Sequence, residues 1–390
     1  MTDYHFLIIG GGIAADAAVK TIRTINTSGT IGVISSEHHP PYNRPLLSKG
    51  LWKGEPFEKI WRETEKHHVD IHRSRTAVAI NTNDHIVVDD AGTKYSYRKL
   101  LIATGGTVRK LPSTAEGIIY LRTLDDYHQL RTLTGSGQKL AVIGGGFIGS
   151  EIAAALRMNS TSVTMIFPED GIGARVYPPS LSRFLNSFYQ SKGIEVLAGD
   201  GVVNIEKHDA KFMIQTKNNR ELFVDGVIAG IGITPNVTLA QDAGLEVDNG
   251  IIVNQFLQTS AADIYAAGDV AKFYNPSLKK TIRVEHEDNS LAMGDVAGKN
   301  MAGIPTPYHY LPFFYSDLFE LGFEAVGEID SRFEIVEDWK EQFREGIIYY
   351  LNENRVHGVL LWNVWGKVDA ARNLIADEGP YTAGTIIGKI

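Results

Sequence analysis

The stretch Phe6-Leu7-Ile8-Ile9-Gly10-Gly11-Gly12-Ile13-Ala14-Ala15 joins a short apolar run to a glycine-rich turn and a second apolar run. The same plan recurs at Gly144-Gly145-Gly146-Phe147-Ile148-Gly149, after the apolar residues 139–143. Glycine allows a tight turn and lets backbone N–H groups approach a pyrophosphate at a helix N-terminus, where the helix dipole favours negative charge. One such turn indicates one bound dinucleotide, so two turns in one chain indicate two.

The hydrophobic pattern around both turns predicts a repeated strand–helix–strand arrangement. The predicted ranges are 5–9, 13–26 and 31–35 for the first repeat, and 139–143, 147–159 and 162–167 for the second. Further strands are predicted at 77–81, 85–89, 100–103, 202–207, 211–216 and 222–229. From Leu311 onward, alternating and aromatic-rich runs predict a separate α+β domain, with strands at 346–351 and 356–362.

The absence of cysteine excludes one route of electron transfer. The chain has no cysteine, so it cannot pass electrons through a Cys-x-x-Cys disulfide, as many enzymes with paired dinucleotide folds do. Any electrons that a bound redox dinucleotide takes up must therefore leave it without a protein disulfide. No apolar stretch is long enough to span a bilayer. We expect no membrane span, no nucleic-acid partner and a cytoplasmic location.

Three acidic residues follow strand-like runs where a nucleotide needs hydrogen-bond acceptors. Glu37 and Glu169 come after the second strand of each repeat, where the acceptor of an adenosine ribose is expected; the alternative is an acid that ends a strand in solvent. Asp269, in Ala267-Gly268-Asp269, suits the ribitol of a flavin, which a nicotinamide nucleotide lacks. It also suits a helix N-cap, and the two roles are compatible. Pairing the first repeat with Asp269 places the flavin first and the nicotinamide second.

With these features the chain resembles the two-dinucleotide flavoprotein reductases. Within them it is most similar to the apoptosis-inducing-factor-like NADH oxidoreductases, which are relatives of the NAD(P)H:ferredoxin and rubredoxin reductases. The specific block is Pro41-Tyr42-Asn43-Arg44-Pro45-Leu46-Leu47-Ser48-Lys49. The other stretches that carry the resemblance are 6–15, 144–151, 267–269, 284–286, 315–318 and 358–363.

The resemblance implies an α/β fold with two Rossmann-like dinucleotide-binding domains, for FAD and NAD, plus a C-terminal α+β domain. The implied FAD-binding domain is discontinuous, at 1–110 and 241–310. The implied NAD-binding domain is 111–240, and the C-terminal domain is 311–390.

The resemblance also implies catalytic roles for Lys49, Glu151, Phe147 and His286. Lys49 is expected near the flavin N5, where an ammonium favours negative charge on the reduced ring, and Glu151 is expected to fix its position. The alternative is a surface Lys–Glu pair that contributes little. Phe147 is expected to stack beside the nicotinamide, or else to belong to the core.

Further residues are implied to bind the cofactors. Glu285 and His286 are expected to close over the isoalloxazine or the nicotinamide, Tyr315 to cover the ring, and Arg44 to contact an FAD phosphate. The complete set is Gly10, Gly12, Ala15, Glu37, Arg44, Lys49, Ala103, Thr104, Gly105, Gly144, Gly146, Phe147, Ile148, Gly149, Glu151, Glu169, Gly232, Gly268, Asp269, Glu285, His286 and Tyr315.

The residues around Glu169 bear on the choice of coenzyme, and a group of histidines bears on metal binding. No Arg or Lys stands beside Glu169 in sequence to bind a 2′-phosphate, which favours NADH, but Arg175 leaves NADPH open. His67, His68 and His72 lie close together, yet no acid or cysteine completes a convincing ligand set. We therefore expect no bound metal.

The expected function is an FAD-dependent oxidoreductase. It accepts a hydride from NADH at flavin N5 and passes electrons to a non-disulfide acceptor such as rubredoxin, ferredoxin, a quinone or a small oxidant. The basic segment 41–75 is a candidate docking face for an acidic electron-transfer protein, whereas the acidic segment 310–390 would repel one. The alternative is a slow-turnover, NADH-sensing redox switch whose reduced form changes partner binding or dimerisation. A homodimer is compatible with both.

Overall fold

The computed structural model describes all 390 residues as a mixture of strands and helices. The strands are β1 Thr2–Ile9, β2 Ile31–Ser35, β3 Asp70–Arg73, β4 Ala77–Asn81, β5 Ile86–Asp89, β6 Lys94–Ile102, β7 Gly106–Val108, β8 Lys139–Ile143, β9 Ser162–Phe167, β10 Glu195–Ala198, β11 Val202–His208, β12 Lys211–Thr216, β13 Glu221–Val224, β14 Gly226–Ala229, β15 Ile233–Pro235, β16 Ile251–Ile252, β17 Ile264–Ala266, β18 Ala271–Asn275, β19 Lys280–Ile282, β20 Phe313–Leu318, β21 Leu321–Gly327, β22 Glu334–Glu341, β23 Glu345–Asn352 and β24 Arg355–Trp362. The α-helices are α1 Ile13–Ile25, α2 Leu124–Thr132, α3 Phe147–Met158, α4 Pro179–Ser191, α5 Thr238–Asp242, α6 Glu287–Met301, α7 Val368–Ala376 and α8 Ala383–Ile386. None of these helices combines the length and apolar character needed to cross a bilayer.

The chain divides into two compact units. The first unit contains Met1–Asn43, Glu58–Thr107 and Ile233–Pro312. The second contains Arg44–Phe57, Val108–Gly232 and Phe313–Ile390. The short segment 44–57 thus groups with the second unit, although the sequence assigns it to the FAD-binding domain. The three-domain division stays a prediction.

The first unit is built on a seven-stranded sheet in the order β3-β2-β1-β6-β5-β4, with β17 also paired to β6. Strands β1, β2, β3, β6 and β17 are paired in parallel with one another, and β5 and β4 extend the sheet from β6 by antiparallel pairing. The apolar second half of β1 and all of β2 are buried, so both faces of the sheet are covered there, as expected for parallel strands with helical crossovers.

Helices α1 and α6 of the first unit pack backbone to backbone. A Cβ on Gly294 would lie 2.4 Å from the carbonyl oxygen of Ala14, and one on Gly298 would lie 2.9 Å from that of Ala18. No larger side chain fits at these two positions of α6. The close contact brings α6 against α1, and His286 is the N-cap residue of α6.

The second unit contains three sheets. A parallel sheet in the order β10-β9-β8-β14 carries the second glycine turn. An antiparallel sheet β11-β12-β13 lies between β10 and β14 in sequence, and residues 313–362 form a five-stranded antiparallel sheet in the order β20-β21-β24-β23-β22. The expected α/β architecture with a C-terminal α+β part is therefore confirmed.

The strands β2, β4, β8, β9 and β12 are confirmed at their predicted bounds, and most of the other predicted elements are present with bounds that differ by one or more residues. The single strand predicted at 222–229 is wrong. The run splits into β13 and β14, which belong to different sheets. Asp225 lies at the break: its N–H donates to the carbonyl of Lys139 at 2.7 Å, and its carboxylate accepts from the Lys139 N–H at 2.8 Å. A continuous apolar run does not reveal such a change of sheet.

Candidate functional site

The first glycine turn lies between β1 and α1 in the first unit. Gly10 has a φ of 112°, and a Cβ there would lie 2.1 Å from the carbonyl oxygen of Ala103, so only glycine fits. Gly12 is the N-cap of α1, no side chain caps the helix, and a Cβ on Gly12 would meet nothing within 4 Å. The first N–H groups of α1 thus face open space, which fits an anionic group. Ala15 is buried on α1, 1% exposed.

Glu37 follows β2 and has a fixed side chain. The hydroxyl of Tyr42 donates to Oε2 of Glu37 at 2.6 Å, and Tyr42 is only 2% exposed. A buried tyrosine therefore orients the carboxylate that the sequence assigns to a ribose. The sequence places Tyr42 in the Pro-Tyr block but does not reveal this contact.

Ala103, Thr104 and Gly105 directly follow β6. The hydroxyl of Thr104 donates to the carbonyl of Asn236 at 3.0 Å, and the Asn236 side chain donates back to the carbonyl of Thr104 at 2.9 Å. The backbone N–H of Asn236 also donates to Gly105 at 3.0 Å. Asn236 therefore holds this turn, a role that sequence analysis missed.

The turn Gly268–Val270 after β17 carries Asp269. The N-cap of this turn is Ala267 and that of α6 is His286, so Asp269 is not a helix N-cap and that alternative is corrected. The guanidinium of Arg283 donates from Nη1 to the Asp269 carbonyl at 3.0 Å and to Oε1 of Glu285 at 2.8 Å. Arg283 therefore connects Asp269 with Glu285, a role that the sequence did not indicate.

His286 stands at the start of α6. Desolvation of the ring lowers the pKa of His286 to about 4, against the opposing charge of Asp269. The imidazole is therefore neutral at pH 7. A neutral ring can lie against a cofactor without adding a charge.

The second glycine turn, between β8 and α3, repeats the geometry of the first. Gly144 has a φ of 112°, and a Cβ there would lie 2.4 Å from the carbonyl oxygen of Gly230. Gly146 caps α3 without a side-chain cap, and a Cβ on it would meet nothing within 4 Å. Gly149 is packed against the turn, since a Cβ added to it would lie 2.0 Å from the Gly144 carbonyl oxygen. The open N-terminus of α3 therefore fits a second anionic group, as that of α1 fits the first.

Aromatic and apolar side chains follow this turn. The ring of Phe147 is half-buried and contacts Phe314, with 5.0 Å between ring centroids, so it belongs partly to the core of the second unit. Ile148 is 40% exposed. The stacking role of Phe147 beside a nicotinamide stays a prediction.

Glu169 comes after β9 and forms an ion pair with Arg175 at 2.6 Å. The side chain of Arg175 is 83% exposed. Arg175, the residue through which the sequence left NADPH open, is brought back to Glu169 by the loop between β9 and α4. Gly232 lies after β14 and accepts a backbone hydrogen bond from Arg109 at 2.9 Å.

Lys49 and Glu151 form a buried ion pair in the second unit. The ammonium of Lys49 lies 2.8 Å from each carboxylate oxygen of Glu151. Their side chains are 13% and 3% exposed, so the alternative of a weak surface pair is excluded. The Lys49 ammonium also lies over the ring of Tyr315, 5.1 Å from its centroid. Such a pair needs further hydrogen bonds to compensate for its lost hydration.

Arg44 completes the predicted set, whereas Tyr189 was not among the predicted site residues. Arg44 donates from Nη1 to the carbonyl of Arg122 at 2.9 Å, and its contact with an FAD phosphate stays a prediction. Tyr189 is buried beside Glu151; burial, with the charge of Glu151 as a smaller contribution, raises the pKa of its hydroxyl well above the ordinary value.

Comparison with known proteins places this geometry in a family. Residues 4–295 match the family described as pyridine nucleotide-disulphide oxidoreductase, and residues 335–377 match the C-terminal domain of the mitochondrion-associated apoptosis-inducing factor. The mitochondrial apoptosis-inducing factor 1 of Dictyostelium discoideum is 33% identical, over 95% of this chain and 78% of that protein. The ferredoxin–NAD(+) reductase component of the 3-phenylpropionate/cinnamic acid dioxygenase of Photorhabdus laumondii subsp. laumondii is 31% identical, over 98% of this chain and 99% of that protein.

A solved structure agrees with these sequence relatives. A chain in the crystal structure of the covalent putidaredoxin reductase–putidaredoxin complex superposes with a TM-score of 0.90 and 28% identity, over 97% of this chain and 94% of that chain. The two open helix N-termini and the acids Glu37 and Glu169 fit two dinucleotides, and the protein is an FAD-dependent NAD(P)H oxidoreductase. The sequence match and the relatives together show that the chain belongs to the pyridine nucleotide-disulphide oxidoreductase family.

Proposed function

We propose that the protein oxidises NADH through its FAD and passes the electrons to a small iron–sulfur or rubredoxin-type electron-transfer protein. The observation that carries this proposal is the pair of open glycine turns in a chain without cysteine, because two dinucleotides can bind but no disulfide can accept the electrons. The names of a ferredoxin–NAD(+) reductase relative and of a putidaredoxin reductase complex support this class of acceptor.

Bound FAD supplies the hydride acceptor and releases electrons singly or in pairs. The chain contributes binding and orientation. The N-termini of α1 and α3 hold the two pyrophosphates, and Glu37, oriented by Tyr42, holds a ribose hydroxyl. Lys49 presents an ammonium whose position Glu151 fixes, and this positive charge favours the reduced flavin. His286 stays neutral and covers the reacting groups without adding a charge.

The proposal is tested by anaerobic reduction. Purified protein is expected to be yellow and to be bleached by NADH. The reduced protein is then mixed with a ferredoxin, a rubredoxin, a quinone and oxygen in parallel, with the flavin absorbance followed after each addition. Rapid reoxidation by one of the two iron proteins supports the proposal. A protein that binds no FAD contradicts it, and rapid reoxidation by the quinone or oxygen alone contradicts the proposed acceptor.

A second candidate function is a redox switch with slow turnover. It is favoured by the match of residues 335–377 to the apoptosis-inducing-factor C-terminal domain and by the Dictyostelium relative. In this function NADH reduction changes a partner surface or a homodimer. A long-lived reduced protein with an altered sedimentation coefficient supports the switch, and fast turnover with an unchanged coefficient contradicts it.

The coenzyme is proposed to be NADH, with NADPH accepted less well. Glu169 supplies the acceptor for a ribose 2′-hydroxyl, and its carboxylate disfavours a 2′-phosphate. The exposed Arg175 partly offsets that charge. Steady-state kinetics with both coenzymes test this preference, which equal kcat/KM values would contradict.

A further inference from the structure

The carboxylate of Glu151 accepts more hydrogen bonds than its ion pair with Lys49 requires. Oε2 accepts from the hydroxyl of Ser48 at 2.7 Å, and Oε1 accepts from the hydroxyl of Ser316 at 2.6 Å. Each oxygen therefore receives one serine hydroxyl in addition to the shared ammonium. A carboxylate held at both oxygens by buried donors has no freedom to rotate.

The two serines come from different parts of the second unit. Ser48 precedes Lys49 in the specific Pro-Tyr block, so its proximity follows from the chain. Ser316 lies on β20, 165 positions from Glu151, and pairs with Phe323 of β21 in the five-stranded sheet. Its side chain is 1% exposed. The next residue on β20, Asp317, pairs with Lys53 at 2.6 Å.

We propose that Ser316 is a positioning residue for flavin reduction. Its hydroxyl fixes Oε1 of Glu151, the carboxylate fixes the ammonium of Lys49, and the ammonium favours charge on the reduced ring. This inference rests on the proposed function for the role of Lys49. Through Ser316, the five-stranded sheet of residues 313–362 contributes to flavin reduction, although it contains neither glycine turn.

Loss of the hydroxyl leaves Oε1 with Lys49 as its only partner. A buried carboxylate oxygen that loses a strong donor reorients, and the ammonium follows it. Since a displacement of about 1 Å in a reacting constellation changes rates by up to roughly a hundredfold, we expect the rate constant of flavin reduction to fall about tenfold in Ser316→Ala. The KM for NADH is expected to stay unchanged, because Ser316 acts through Lys49 rather than on the coenzyme.

The experiment compares FAD-loaded wild type, Ser316→Ala, Ser316→Thr and Ser180→Ala. Ser180 provides the matched control, because its hydroxyl donates to Glu337 between α4 and β22 and so loses the same kind of bond elsewhere in the unit. Stopped-flow absorbance gives the reduction rate at saturating NADH. Acetylation of the Lys49 amine, followed by peptide mass spectrometry, reports how firmly that ammonium is held, independently of activity.

Ser316→Ala is expected to reduce slowly and to acetylate faster at Lys49, with FAD content unchanged. Ser316→Thr keeps a hydroxyl and is expected to restore both readouts, and Ser180→Ala is expected to match wild type. If Ser316→Ala does not fold, Ser316→Cys replaces it, because the thiol keeps the volume but is a weak donor. Wild-type reduction and acetylation rates in the alanine or cysteine variant overturn the inference, as does an equal loss in Ser180→Ala. Failure of the wild type to be reduced by NADH contradicts the proposed function instead, and the Lys49 acetylation comparison still tests Ser316.

Discussion

The two glycine turns share their backbone geometry but differ in how the acid that follows each one is held. After the first turn, Glu37 accepts a hydrogen bond from the buried hydroxyl of Tyr42. After the second, Glu169 is paired with Arg175, a side chain that is 83% exposed. A buried neutral donor orients a carboxylate rigidly, whereas an exposed ion pair contributes little and rearranges easily. The difference suits a resident cofactor at the first turn and an exchanging coenzyme at the second.

The largest effect is expected from alanine at the inner glycine of either turn. The added Cβ would lie 2.1 Å from a carbonyl oxygen in Gly10→Ala and 2.4 Å from one in Gly144→Ala. Strain at φ 112° adds to the clash, so we expect a loss of about 3 kcal/mol or more in unfolding free energy. Gly10→Ala is expected to lose FAD, and Gly144→Ala to keep FAD and lose NADH binding. Flavin absorbance per chain and NADH titration measure both.

Gly92→Ala is the control for these two variants, because Gly92 also has a positive φ, of 76°, but a Cβ there would meet nothing within 4 Å. It is expected to bind both nucleotides. A Gly144→Ala protein that loses FAD and still binds NADH would reverse the assignment of the two turns.

The second-largest effect is expected at His286, in the first unit, where acid should lower the free energy of unfolding. Desolvation lowers the pKa of His286 to about 4 from its ordinary value of 6.5. The unfolded chain therefore binds a proton below about pH 6.5 that the folded chain refuses, and the free energy of unfolding falls as the pH drops from 6.5 towards 4. We expect His286→Asn to remove roughly 2 kcal/mol of this loss. Urea unfolding at about pH 7.5 and about pH 4.5 measures it.

His72 belongs to the same unit, and burial lowers the pKa of its imidazole as well. His72 is present in both the wild type and His286→Asn, so the difference between their pH dependences of unfolding reports on His286 alone. Identical pH dependence in the two proteins would show that His286 titrates normally.

Tyr42→Phe sharpens the comparison at the first turn. The ring and its packing stay, but Glu37 loses its donor, and we expect FAD to bind about tenfold more weakly. Fluorescence titration of the apoprotein with FAD gives the Kd. Tyr95→Phe is the matched control, since the buried hydroxyl of Tyr95 donates to Asp89 at 2.8 Å in the same unit. An equal loss of FAD affinity in both variants would mean that Tyr42 acts only through stability.

The smallest effect is expected at the second turn. Arg175→Ala removes an exposed guanidinium, so stability should change by less than about 1 kcal/mol. The KM for NADPH is expected to rise a few-fold, because a positive charge near the 2′-phosphate is lost, while the KM for NADH changes little. Arg332→Ala is the control, because Arg332 is another exposed arginine paired with an acid, Asp330. A larger effect on NADH than on NADPH would contradict this role of Arg175.

The sequence predicts those parts of the structure that local patterns determine. Apolar periodicity defines β2, β8 and β9, and the glycine spacing identifies both turns, because each depends on neighbouring residues. The resemblance singles out Lys49 and Glu151, which the structure brings together.

Contacts between distant positions could not be predicted in the same way. The serine at 316 is separated from Glu151 by 165 positions, and Asn236 is separated from Thr104 by 132. Only the folded chain shows that they meet. The return of Arg175 to Glu169 depends on the path of a loop, which no periodic pattern encodes.

The glycines of α6 have a mechanical consequence. Where Gly294 and Gly298 contact α1, they lie against backbone carbonyls and the Cβ atoms of Ala17 and Thr21, none of which moves when a rotamer changes. A force applied to the start of α1 is transmitted to α6 without being absorbed by rotamer changes. We therefore expect the histidine at the head of α6 to move together with the first glycine turn.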